Sequence, residues 1–171
     1  MDFLESYLYG YGLDKLNIVS LACKDRNLIM QNILCALFKM KHPGKVYAYG
    51  SLYYPYYPLD DKIPGDYNFV DQVKTLMDTG FDGIKMLEGK PTLRKKIGVP
   101  LDSPIFDDYY SYLEKQGIPV VFHAADPETF WDKDTAPEFS FEHGWFYGDG
   151  TFPKKEEIYN EIEGILSKFP E

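Results

Sequence analysis

The stretch Gly117-Ile-Pro-Val-Val-Phe-His-Ala-Ala-Asp-Pro127 decides the reading of this chain. Pro119 to Phe122 has the apolar, β-branched and aromatic character of a buried strand. The strand ends on His123, and a small-residue and proline turn follows it. A long aromatic loop comes next. In parallel α/β proteins the carboxyl ends of strands form the active-site face. His123 is therefore a candidate metal ligand or acid/base, set against the plainer alternative of a structural histidine.

Working outward, the pattern repeats. Met1 to Leu16 carries Phe3, Leu4, Tyr7 and Leu8 at helical spacing, with Gly10 and Gly12 breaking the helix. Asn17 to Cys23 reads as a buried strand. Asp25 can cap a helix whose apolar stripe is Leu28, Ile29, Ile33, Leu34, Leu37 and Phe38. That helix closes with Lys39, Lys41 and an exposed His42 before Pro43-Gly44. Lys45 to Tyr54 is the second strand, and Pro55 to Gly65 a loop. Tyr67 to Gly80 is a helix and Phe81 to Leu87 the third strand, interrupted by Lys85. Glu88 to Ser103 is a loop with one helical turn near Leu93 to Ile97. A helix with Pro104 at its first position runs to Gln116. Ala124 to Pro153 is irregular and long enough to suggest function. Lys154 to Phe169 is the last helix.

The order is α-β-α-β-α-β-α-β-α, which predicts parallel strands joined by right-handed crossovers. Two architectures fit, an open doubly wound sheet or part of a (β/α)8 barrel. A full barrel typically takes roughly 250 residues. This chain has 171, and the pattern supplies four strands, so the expected fold is about four βα units of a TIM-type barrel in a single domain, 1–171.

Composition narrows the function classes. Eighteen basic and 27 acidic residues give a net charge of −9, which disfavours nucleic acid and anionic membrane as partners. The one dense basic run, Lys90 to Lys96, reads as a solvated face. No apolar run of about 18 residues spans a bilayer, and no signal peptide is visible; the expectation is a cytoplasmic protein. Cys23 and Cys35 read as buried free thiols. Glycine-rich phosphate loops, G-x-G-x-x-G and G-x-S-x-G are not found, which argues against kinase, nucleotide-binding and serine-hydrolase chemistry.

Three features carry possible chemistry. Lys85, inside a strand, must be paired or reach water. It reads as a substrate-anion contact, a Schiff-base amine or a modified metal bridge, or else as a lysine snorkelling to water or paired with Glu88. His123 can hold a divalent cation with one ring nitrogen, given about three more ligands. The remaining histidines are His42 and His143, and no His-x-His pair exists. The third feature is the loop holding Asp126, Trp131, His143 and Trp145. Aromatic rings interleaved with polar groups can line a small-molecule pocket; a satellite hydrophobic cluster is the bland alternative.

Gly80-Phe-Asp-Gly-Ile-Lys-Met86, then Leu101-Asp-Ser-Pro-Ile-Phe106, then Gly117-Ile-Pro-Val-Val-Phe-His-Ala124 follow in an order that resembles the amidohydrolase-related family, the metal-dependent decarboxylase and lactonase branch of its superfamily. The resemblance runs from about Asn17 to Glu171. It implies a (β/α)8 barrel with a divalent metal, zinc or manganese, at its carboxyl-end mouth. It further implies that His123 matches the fifth-strand metal ligand and Lys85 a fourth-strand position near the site. The four strands would be the family's second to fifth. The family's first-strand His-x-His or Glu-x-His, its sixth-strand histidine and its eighth-strand aspartate base have no counterpart here.

The expectation is a fragment of a longer enzyme or a natural partial barrel, hydrolysing or decarboxylating a small carboxylate, lactone or amide-like substrate. Lys85, Asp126, Trp131, His143 and Trp145 would contact the substrate, His123 the metal, and the catalytic base is unassigned. The chain by itself could lack the metal. The rival expectation is a non-catalytic α/β domain that binds a small ligand or partner through the aromatic loop. Unpaired strand edges predict self-association.

Overall fold

The computed structural model describes residues 2–21, 28–54, 58–59 and 67–171. Cys23, Asp25 and most of the loop from Pro55 to Gly65 lie outside them. In chain order the elements are helix α1 (Asp2–Gly10), strand β1 (Leu16–Val19), α2 (Leu28–Lys41), β2 (Val46–Gly50), α3 (Phe69–Asp78), β3 (Gly83–Met86), α4 (Pro91–Ile97), α5 (Asp107–Gln116), β4 (Val120–Phe122), α6 (Glu138–Glu142) and α7 (Lys155–Lys168).

The sheet runs β1-β2-β3-β4. Leu16 pairs with Val46 through to Val19 with Tyr49, and Tyr49 pairs with Gly83, all in parallel. Ile84 N donates to Pro119 O at 3.0 Å at the start of β4. A doubly wound sheet reverses its strand order at a switch point. This order never reverses, which settles the two architectures in favour of half a barrel.

The described chain forms two compact units. The first comprises Met1–Tyr53, Asp71–Met86 and Ile118–Val121. Its β2 alternates as pleated geometry requires. Val46, Ala48 and Gly50 are buried, whereas Tyr47 is exposed. Gly50 has no room for a side chain, since a Cβ there would lie 2.8 Å from Leu76. The ends of three strands are stitched by small polar groups. Ser20 Oγ donates to Asn32 Oδ1 at 2.6 Å, and Asn32 Nδ2 donates to Ser51 O at 3.1 Å. Ser51 Oγ reaches Ser20 O at 2.7 Å and Lys85 O at 3.0 Å. Buried polar groups are tolerated there because each has a partner.

His42 corrects the sequence expectation of an exposed helix end. It is buried, with Nδ1 2.8 Å from Tyr9 Oη and Nε2 2.9 Å from Glu5 Oε1. Helix α1 thereby fastens to the end of α2. Cys35 is a half-buried free thiol.

The second unit comprises Tyr54–Val70, Leu87–Gly117 and Phe122–Glu171. Its core is aromatic. Phe69 stacks on Tyr67 at 5.4 Å and on Phe106 at 5.3 Å, with Tyr109 and Tyr110 buried alongside. The turn expected near Leu93 is helix α4, stopped by Gly98 in the left-handed conformation. Pro104 opens a single 3-10 turn, and α5 follows it. Within the loop expected to be irregular, a 3-10 turn at Glu128–Trp131 and the short α6 supply local order.

The basic run is a second correction. Arg94 makes a bidentate pair with Glu161, both at 2.8 Å, and Lys90 is mostly buried. Lys95 and Lys96 alone lie on the exposed surface. No described helix is long and apolar enough to cross a membrane.

Candidate functional site

The site lies in the second unit, in the loops that follow β3 and β4. Gly89 sits where the two loops meet. A Cβ there would fall 1.8 Å from the His123 carbonyl oxygen, so only glycine permits the approach. After His123 the chain turns back through Ala125, which holds a left-handed φ of 65°. An alanine resists that conformation. The turn brings Asp126 beneath His123.

Asp126 is the hub. Its Oδ1 lies 2.9 Å from His123 Nε2. Its Oδ2 accepts from Lys90 Nζ at 2.7 Å and from Tyr147 Oη at 2.5 Å. Its side chain is 7% exposed, against 28% for His123 and 17% for Lys90. Burial alone would raise the pKa of the carboxyl group. Hydrogen bonds from His123, Lys90 and Tyr147 outweigh that and hold it at about 2. Burial, and then the Asp126 charge, push the Tyr147 hydroxyl far above its usual range. The pair is thus an ionised carboxylate and a neutral phenol.

Aromatic rings wall the cluster. Lys90 Nζ sits 4.2 Å from the centre of the Trp145 ring, a cation–π distance. Trp131 packs on Tyr147 at 4.8 Å and donates Nε1–H to Pro153 O at 3.2 Å. His143 stacks on Trp145 at 4.9 Å, and its Nδ1 lies 2.8 Å from Phe139 O.

Four of the expected residues therefore gather with His123: Asp126, Trp131, Trp145 and, at the rim, His143. Lys85 belongs to the first unit, where it is buried in β3. Sequence reading missed Lys90 and Tyr147. Lys90 was hidden in the basic run, and Tyr147 was one of fifteen tyrosines. The usable signal was position, since Lys90 stands four residues after β3 as Asp126 stands four after β4.

A second buried carboxylate, Glu88, is fully enclosed in the same unit. Tyr54 and Tyr109 face it. Burial first, and then the Glu88 charge, raise both hydroxyls well above their usual range.

The fit of this site to a metal was tested on its donors. His123 stands at a strand end with a carboxylate on one ring nitrogen, as metal-bound histidines commonly do. Asp126 is already engaged by three donors. Among the described residues no three His, Cys, Asp or Glu side chains converge to hold an ion. These residues alone do not make a metal centre.

No family model matches the sequence, and no curated protein does. Solved structures do match. The chain superposes on 2,6-dihydroxybenzoate decarboxylase from Rhizobium with a TM-score of 0.58 at 17% identity, covering 99% of this chain and 53% of that one. The fold is half a TIM barrel. An uncharacterised TIM-barrel protein from Bordetella bronchiseptica gives a TM-score of 0.48 at 17% identity, covering 99% and 56%. The chain thus spans about half the length of the solved structures it matches. At this identity the likeness shows the fold alone.

Proposed function

We propose that this chain is half of a metal-dependent barrel enzyme that binds and transforms a small carboxylate, by decarboxylation or by hydrolysis of a lactone or amide-like bond. The observation that carries the reading is Asp126 joining His123, Lys90 and Tyr147 just beyond the end of β4. Lys90 presents an ammonium against an aromatic wall, which suits an aromatic or unsaturated acid. Asp126 fixes the orientation of the His123 ring and of the Lys90 ammonium and keeps Lys90 from turning to solvent. Trp131 and Trp145 exclude water on one side. A zinc or manganese ion would need ligands from strands beyond these four, with His123 as one of the set. A cytoplasmic location belongs to the same proposal.

The test uses the two tryptophans as reporters. Titrating the purified chain with 2,6-dihydroxybenzoate should quench their fluorescence. Lys90→Met should weaken the apparent affinity by roughly tenfold, the worth of one charge-assisted contact. No quenching at millimolar acid, or equal quenching in the variant, sinks the reading. Zinc titration of a version extended to the whole barrel, and of its His123→Ala variant, followed by calorimetry, tests the ligand role. Identical stoichiometry in the two would remove it.

A further inference from the structure

Two residues other than glycine hold a positive φ among the described residues, Asn68 at 47° and Ala125 at 65°. Asparagine tolerates that conformation, whereas alanine is disfavoured in it by roughly 5- to 30-fold. The strained residue stands inside the site, between His123 and Asp126.

The strain has nowhere else to go in the turn. At the entrance, the His123 carbonyl is packed against Gly89, where a Cβ would lie 1.8 Å away. At the exit, Pro127 holds its own φ at −53° and bars Asp126 from the helical region. The Pro127 carbonyl accepts from Phe130 N at 2.9 Å, which ties the exit to the 3-10 turn. The reversal is left to Ala124 and Ala125, and only Ala125 has the positive φ. A strained backbone persists where its surroundings hold it there. Here the hold is on the next residue's carboxylate: Lys90 Nζ at 2.7 Å, His123 Nε2 at 2.9 Å and Tyr147 Oη at 2.5 Å. Ala124 and Pro127 are exposed, so the outer side of the turn is open to water.

An acid entering the site would pair with Lys90, and Asp126 already holds that ammonium. Two carboxylates on one ammonium repel each other. Lys90 is 17% exposed, so water screens that repulsion little. We propose that the turn at Ala125 is a spring set against the Asp126–Lys90 pair: a carboxylate ligand takes Lys90, Asp126 swings out to solvent, and Ala125 relaxes to an extended backbone. Tyr147 is then left with Thr92, whose hydroxyl can accept as well as donate. This rests on the acid-binding reading above and adds the residue that tunes it. Ala125 touches no ligand and acts by positioning Asp126. Its strain enters the affinity because a ligand draws on whatever free energy separates the two states.

The test compares Ala125→Gly with wild type. Glycine carries no penalty at a positive φ, so the variant keeps Asp126 in place without strain. Its melting temperature should rise by about 2–4 °C. Its affinity for 2,6-dihydroxybenzoate, read by tryptophan quenching, should fall by roughly tenfold, because no strain is left to release. Ala125→Asn should lie between the two on both measures. A melting rise with unchanged affinity would make the turn merely structural and overturn the proposal, as would a melting temperature that fails to rise. A second readout needs no ligand. Lys90→Met removes one hold on Asp126, and the backbone carbon chemical shifts of Ala125 should move from left-handed towards extended values. The acid should move them the same way in wild type. Left-handed shifts kept in both cases would overturn the spring and leave acid binding standing. No quenching by the acid in wild type would end the proposed function and the release with it.

Discussion

Helices α2 and α7 are the same length, 14 residues each, and are built on opposite plans. α7 follows the ordinary one. Glu156 and Glu157 occupy its first turn, and the Lys154 N–H donates to Glu157 Oε2 at 3.1 Å. Ile158 and Ile165 are buried. Glu161 turns inward, and its charge is met twice, by Arg94 and by the Leu101 N–H at 2.9 Å. α2 buries Phe38 but otherwise turns Asn32 and Lys39 inward, and it leaves Ile29, Met30, Ile33, Leu34, Leu37 and Met40 exposed. The difference teaches that periodicity shows which residues share a face and does not show which face meets the core. On α7 the two questions had one answer because the other side was charged. On α2 they did not.

The contrast can be broken most forcefully at Asp126, where polar groups hold the interior together. Asp126→Ala should destabilise the chain by about 3–5 kcal/mol, because it leaves the Lys90 ammonium and the Tyr147 hydroxyl buried without their acceptor. Urea unfolding measures it, and a loss under 1 kcal/mol would mean that the network contributes little. Next comes a matched pair of truncations. Ile158→Ala should cost about 3 kcal/mol, and Ile33→Ala less than about 0.5 kcal/mol. Equal costs would show that α2 is covered in the monomer. The smallest effect is in pH. With a folded pKa of about 2 against the ordinary 3.8, Asp126 contributes stability that is complete above about pH 5 and fades as pH falls towards 2. The amount is about 2 kcal/mol. Comparing the acid limb of wild type with that of Asp126→Asn isolates it; parallel limbs would refute the contribution.

Much of the barrel architecture was legible. Strand runs such as Val46 to Gly50 and the Gly117 to Phe122 segment are short, apolar and bounded by glycine, and parallel burial makes such runs conspicuous. What escaped was contact between elements distant in the chain. His42 looked solvated because its partners, Glu5 and Tyr9, stand more than thirty residues earlier. Lys90 looked solvated because its partner is Asp126. At the site, His123, Asp126, Trp131, His143 and Trp145 were legible because one loop carries them all. Tyr147 lies in that same loop, yet nothing in its sequence neighbourhood distinguishes it from the other tyrosines; only the fold brings its hydroxyl to donate to Asp126.

The absence of a side chain at Gly89 has a mechanical consequence. With a Cβ at Gly89 placed 1.8 Å from the His123 carbonyl oxygen, any larger residue there would have to push the two loops apart. The spacing between the Lys90 and His123 loops is thus set by main chain, which has no rotamer with which to give way.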